Sequence, residues 1–139
     1  DANRSGQFNP LRKVASGGEL SRLMLCIKSL VAESIQLPTL IFDEIDTGIA
    51  GEAARQVGLL LKELAQHRQV VCITHQPQIA GKAHTHFFVY KQAGLSNTAA
   101  VQTGLRLLSP EERVEIIAQM IGGEHPTPAA LANARELLS

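Results

Sequence analysis

Apolar residues recur along this chain with two different periods, and the changes of period mark out its elements. From Gly18 to about Ile35, Leu20, Leu23, Met24, Ile27, Leu30 and Val31 return every three or four residues. That spacing predicts an amphipathic helix with one buried face. After Pro38 the run TLIFD (39–43) is short and continuously apolar, the mark of a strand covered on both faces of a parallel sheet. A second helix is predicted from about Glu52 to His67, with Ala53, Val57, Leu60, Leu61 and Leu64 on one side, and QVVCIT (69–74) is the next strand. Strand, helix, strand in this order is a βαβ unit, whose crossover is right-handed.

Beyond this unit, HFFVYKQ (86–92) and TAAVQTGLRL (98–107) read as two strands joined by a hairpin loop, AGLSN. SPEE (109–112) then supplies a helix start, with Ser109 as N-cap, Pro110 in the first turn and Glu112 at capping-box spacing. Ile116, Ile117, Met120 and Ile121 form the apolar side of that helix, Gly122-Gly123 stops it, and Thr127-Pro128 opens a last helix with Leu131, Ala134, Leu137 and Leu138 on one side. Residues 1–15 read as an irregular lead-in. The expectation is one α/β unit with a mostly parallel sheet, flanking helices, a β-hairpin and two C-terminal helices, without repeats or an internal linker.

Composition narrows the function classes. At 139 residues and 45% hydrophobic the chain is of single-domain size with enough apolar surface for a core. No apolar run is long enough for a membrane span. Lys plus Arg and Asp plus Glu are 13 each, so the basic excess of a duplex-binding module is absent here. Arg4, Arg12, Lys13, Arg22 and Lys28 make the first third locally basic but spread over loop and helix. Cys26 and Cys72 sit among apolar residues and read as reduced core side chains, which fits a reducing, intracellular compartment.

Two stretches carry candidate chemistry. KVASGGELSR (13–22) places Ser16, Gly17, Gly18 and Glu19 ahead of an apolar-striped helix, and backbone N–H groups with a hydroxyl at a helix N-terminus suit an anion. LIFDEID (40–46) delivers Asp43 and Glu44 to the carboxyl end of a strand, where open α/β sheets place their ligands. Adjacent acids there are unfavourable without a cation or proton. Asp43 can hold Mg²⁺ through water and Glu44 can polarise a water for attack on a phosphoryl group, or the pair simply faces solvent or caps the next turn. His75 follows the next strand directly and can donate to a phosphate oxygen or hold the attacking water. Gln76 and Gln78 add weaker polar candidates.

ASGGELSR, then TLIFDEID, then ITH occur in that order, and the set resembles the ABC-type ATPase head: signature motif, Walker B strand, D-loop and switch histidine. Within that family the longer phrases KVASGGELSRLMLCIKSL and IFDEIDTGIAG, with the ending ALANARELL, resemble the structural-maintenance-of-chromosomes (SMC) group, and its members acting in DNA double-strand break repair and recombination above all. The resemblance implies that Ser16, Gly17, Gly18 and Glu19 sense the γ-phosphate of ATP held by the facing subunit of a head-to-head homodimer. It implies that Asp43 orders the Mg²⁺ hydration, Glu44 activates the attacking water and His75 contacts the γ-phosphate within its own subunit. Asp46 takes the D-loop position at the dimer seam, or is a turn acid ahead of Thr47-Gly48.

No phosphate loop, Gln-loop or coiled coil occurs in the sequence. The chain is thus expected to be the carboxyl-terminal half of a head, residues 1–139. Its partners would be the N-terminal half of the same head carrying the Walker A loop, a second copy through the heads, and DNA through the full-length protein, with no membrane. The implied setting is the bacterial cytoplasm at the nucleoid. The phosphate-loop strand belongs beside the strand ending at His75, so a gap or exposed sheet edge is expected without it. The alternative within the fold is a non-catalytic dimerisation or DNA-scaffolding module. A zinc site on His75, His84 and His86 falls short of the ligands zinc needs, and DEID lacks the alternating acids of a nuclease centre.

Overall fold

The computed structural model describes residues 23, 25–27, 31, 37–43, 45–92 and 102–139, which fall into two compact units, one up to Lys82 and one from Ala83 onward. In the first unit the described residues between 23 and 31 are helical. Strand β1 (Thr39–Asp43), helix α1 (Gly51–Leu64), strand β2 (Gln69–Ile73) and the short helix α2 (Pro77–Ala80) follow. β1 and β2 pair in parallel, from Thr39 opposite Gln69 to Asp43 opposite Ile73. The βαβ reading of the sequence therefore holds.

The core of this unit is Leu40 and Phe42 from β1, Ala54, Val57, Leu61 and Leu64 from α1, and Ile79 from α2, with Ile45 and Ile49 from the intervening turn. Full burial of such side chains contributes about 1.5–3 kcal/mol each. α1 and α2 approach closely at Gly58, where a Cβ would meet the Gln78 carbonyl oxygen at 2.9 Å.

Several sequence expectations are corrected in detail. Among the described residues the parallel pair is buried on one face: Leu40 and Phe42 are buried, whereas Ile41, Val71 and Ile73 on the other face are 62%, 42% and 57% exposed. A continuous apolar run indicates that both faces seek cover; it does not supply the second layer. On the first helix Leu25 is buried, while Leu23, Ile27 and Val31 of the predicted face are exposed. Periodicity groups residues on a face without deciding which face meets the core. In α1 the buried alanine is Ala54 and not Ala53. Cys26, expected in the core, is exposed, and Cys72 is half-buried; Cys26 lies one residue from Leu25 and so a helical step away from the buried side.

In the second unit β3 (Phe87–Gln92) and β4 (Gln102–Leu107) form an antiparallel pair, followed by α3 (Pro110–Gly122) and α4 (Pro128–Leu138). α3 starts as expected. Ser109 Oγ accepts from the Glu112 backbone N–H at 3.2 Å, and a Glu112 carboxylate oxygen accepts from the Ser109 N–H at 2.8 Å, a complete capping box. The helix ends at Gly123, whose φ is 85°. Thr127 caps α4 through the Ala130 N–H at 3.2 Å. α3 and α4 pack on each other, and Ile117 and Ala118 of α3 and Ala130 and Ala134 of α4 are buried. Ile116 and Met120 are only half-buried and Ile121 is exposed.

Candidate functional site at the carboxyl ends of the parallel strands

Parallel pairing sends the carboxyl ends of β1 and β2 to the same edge, and the register puts Asp43 directly opposite Ile73. The residues that follow each strand are therefore neighbours. After β1 the chain turns through Ile45–Gly48, closed by the Ile49 N–H donating to the Asp46 carbonyl at 3.2 Å. Ile45 and Ile49 are buried on either side, which fixes the turn to the core. Gly48, with φ 70°, makes its left-handed residue.

Asp46 lies inside this turn with 1% of its surface exposed. Its Oδ2 accepts from Thr74 Oγ1 at 2.6 Å and from the His75 backbone N–H at 2.9 Å, and lies 3.1 Å from His75 Nδ1. Burial alone would push the carboxyl upward. The Thr74 hydroxyl, the His75 N–H and the His75 ring together outweigh it and hold Asp46 below its ordinary value of 3.8. A second tie runs alongside, since Gln76 Nε2 donates to the Ile49 carbonyl at 2.9 Å. The Gln76 N–H in turn donates to Thr74 Oγ1 at 3.0 Å. The turn after β1 and the segment after β2 are thus cross-linked by hydrogen bonds at two places.

The His75 side chain itself is 72% exposed, so its ring faces solvent from an anchored base. Asp43 is exposed at the end of β1. A single open carboxylate is a hard oxygen donor that suits a cation keeping most of its waters, as Mg²⁺ does. Cys72, half-buried one step before the strand end, has its thiol pushed up to about 12 by burial and then by the charges of Asp46 and Asp43. It is no nucleophile. Among the described residues there is no group of three or more His, Cys, Asp or Glu that could hold a metal ion.

Of the residues singled out in the sequence, Asp43, Asp46 and His75 stand together at this edge. Ser16, Gly17, Gly18, Glu19 and Glu44 lie outside the described residues. Thr74 was missed: a strand-end threonine 28 residues from its partner carries no local signal. Gln76, a weak candidate in the sequence, makes the second tie.

No protein-family model matches the chain. It is 45% identical over 136 residues to the DNA repair protein RecN of Vibrio cholerae, covering 98% of this chain and 24% of that protein. The RecN proteins of Haemophilus influenzae and Treponema pallidum are 46% and 44% identical over 137 residues. The chain spans about a quarter of the length of these relatives. Among solved structures, a chain from work on ATP-driven dimerization and DNA stimulated activation of SMC ATPases superposes with a TM-score of 0.64 at 21% identity, over 81% of this chain and 66% of that one. The Smc head domain with a coiled coil and joint from Pyrococcus yayanosii gives 0.64 at 23% identity, over 78% of this chain and 20% of the other. The fold is that of an SMC ATPase head.

Proposed function

We propose that this chain, a RecN-type sequence with an SMC-head fold, is the carboxyl-terminal half of an ATPase head that works in DNA double-strand break repair and recombination. The observation that carries this reading is the meeting of Asp43, Asp46 and His75 at one edge of a parallel pair. They belong to motifs that stand in head order along a chain matching RecN over nearly all its length.

In this reading ATP is sandwiched between two heads. One subunit supplies the phosphate loop, from the N-terminal half of its own head, and the other presents Ser16, Gly17, Gly18 and Glu19 to the γ-phosphate. Asp43 would hold Mg²⁺ through water, a cation that would supply charge neutralisation at the phosphates. Glu44 accepts a proton from the attacking water, and His75 holds the γ-phosphate from the same subunit. Binding clamps the heads as a homodimer, and loss of the γ-phosphate releases them, a ligand-biased two-state change. DNA is engaged through the full-length protein, in the bacterial cytoplasm at the nucleoid. No described helix is long and apolar enough to cross a membrane.

The test uses the full-length protein. Glu44→Gln should stop hydrolysis while trapping an ATP-bound dimer, and Ser16→Arg should prevent that dimer. Wild-type turnover and dimerisation in both variants would overturn the reading. Dimerisation with ATP but no turnover in the wild type would favour the scaffolding alternative. The isolated 139-residue chain, without a phosphate loop, is expected neither to bind ATP tightly nor to hydrolyse it, and measurable ATPase from it would contradict this assignment.

A further inference from the structure

The D-loop position implied by resemblance gives Asp46 a place at the seam between subunits, yet its carboxylate is turned inward. It is 1% exposed, and one oxygen, Oδ2, faces Thr74 Oγ1, the His75 N–H and His75 Nδ1 at 2.6, 2.9 and 3.1 Å. A carboxylate that reached a partner subunit would have to leave all of these, at a cost typical of stranding buried polar groups. From this geometry we infer that Asp46 is a positioning residue for His75 within its own subunit, and not a contact across the seam.

The chemistry of the ring sets this role. An ionised carboxylate only accepts, so the Nδ1 that faces it carries a proton. That leaves Nε2, 3.5 Å from Gln76 Nε2, as the nitrogen for a ligand, and it donates to a phosphate oxygen when the ring is the imidazolium, in which both nitrogens carry protons. His75 needs such an anchor because 72% of its side chain is exposed, and an exposed imidazole otherwise samples several rotamers. The backbone bond from the same oxygen fixes the Cα from which the ring projects. Thr74 and Gln76 complete the support. The Thr74 hydroxyl donates to Asp46 and accepts from the Gln76 N–H, and Gln76 Nε2 ties back to Ile49 in the same turn as Asp46. A shift of the turn after β1 is thereby passed directly to the imidazole, a mechanical link between whatever meets that turn and the reacting phosphate.

This inference rests on the reading of His75 as a γ-phosphate contact, and the experiment separates the two. In the full-length protein, ATP turnover is measured for His75→Ala, Asp46→Asn and the double variant, with thermal melting as a folding control. His75→Ala is expected to lower kcat by about 100-fold or more. Asp46→Asn keeps the shape but weakens the hold on Nδ1, and should lower kcat about 10-fold with KM changed less than about 2-fold. In the His75→Ala background the same Asp46→Asn change should cost less than about 2-fold, because its route of action is gone. Thr74→Val, which touches neither residue's identity, should lower kcat by about 3-fold in the wild-type background and leave it unchanged in the His75→Ala background. It serves if Asp46→Asn does not fold. Losses that multiply in full in both backgrounds would overturn the positioning role while leaving the ATPase reading intact. Unchanged turnover in His75→Ala alone would instead overturn the underlying reading of His75.

Discussion

Among the described residues two small sheets differ in what they bring together. β1–β2 and β3–β4 are both two-stranded, and both leave one apolar face open. In the first, Ile41, Val71 and Ile73 are exposed; in the second, Phe87, Val89, Leu105 and Leu107 are each about 60% exposed. What separates them is strand direction. The parallel pair gathers the ends of both strands at one edge, so Asp43, Asp46, Thr74 and His75 come from distant sequence positions into one cluster. The antiparallel pair sends one end each way, and its inward face holds packing chemistry: Phe88 stacks on Tyr90 at 6.3 Å and Arg106 lies over Phe88 at 5.7 Å. Strand direction thus gathers polar groups at one edge in the first sheet and leaves ring stacking on one face of the second.

The largest effects are expected in the core of the first unit. Phe42 has no exposed surface under the parallel pair, and Phe42→Ala should cost about 3–5 kcal/mol, read from the urea midpoint of the chain. A loss under about 1 kcal/mol would mean that α1 does not seal that face as described. Next in size is Gly58→Ala. Its Cβ would meet backbone at Gln78 and Ile79, so a cost of about 1–3 kcal/mol is expected although alanine favours helix. A stabilised variant would show that α2 yields easily.

In the second unit, Ser109→Ala removes one half of the capping box and should cost about 1 kcal/mol in the same assay. Turnover per folded molecule in the full-length protein should not change. The smallest effect is read as a slope. Asp46 titrates below its ordinary value when folded, so its contribution is complete above that value and is lost as pH falls through the lower folded value. From about pH 5 downward the unfolded chain takes up this proton first, and stability declines. Asp46→Asn should show a shallower decline over that range, measured by urea unfolding at successive pH values, and an identical slope would contradict the pairing.

Much of this arrangement is legible in the sequence, and the boundary of legibility has a physical cause. The capping box of Ser109 and Glu112, the glycine stop at Gly123 and the strand ending at Asp43 depend on residues within a few positions of each other. Local chemistry decides them, and they appear where expected. Faces are harder. The pattern Leu23, Ile27, Val31 is a true helical stripe, but Leu25 is the residue that meets the core, because a stripe says nothing of what lies opposite. The open face of Ile41, Val71 and Ile73 has the same origin. Asp46 is the instructive case: an acid in a turn reads as solvent-facing or seam-facing, and only the parallel register brings Thr74 and His75 to it and makes its burial tolerable. Asp43, Asp46 and His75 stand in order along the sequence, but the hydrogen bonds on which the inferred positioning role of Asp46 rests join residues 28 and 29 positions apart.

The central claim is that each ATP site is built from two subunits, and one mixing experiment tests it directly. Full-length Glu44→Gln and Ser16→Arg proteins are each expected to be inactive alone. Mixed in equal amounts, they should form dimers in which one site pairs an intact Glu44 with an intact Ser16 from the other chain. Such a mixture should recover on the order of a quarter of wild-type turnover. Recovery at that level supports the shared site. A mixture as inactive as its components, under conditions where wild-type subunits exchange, would contradict it and place Ser16 and Glu44 at the same subunit's nucleotide.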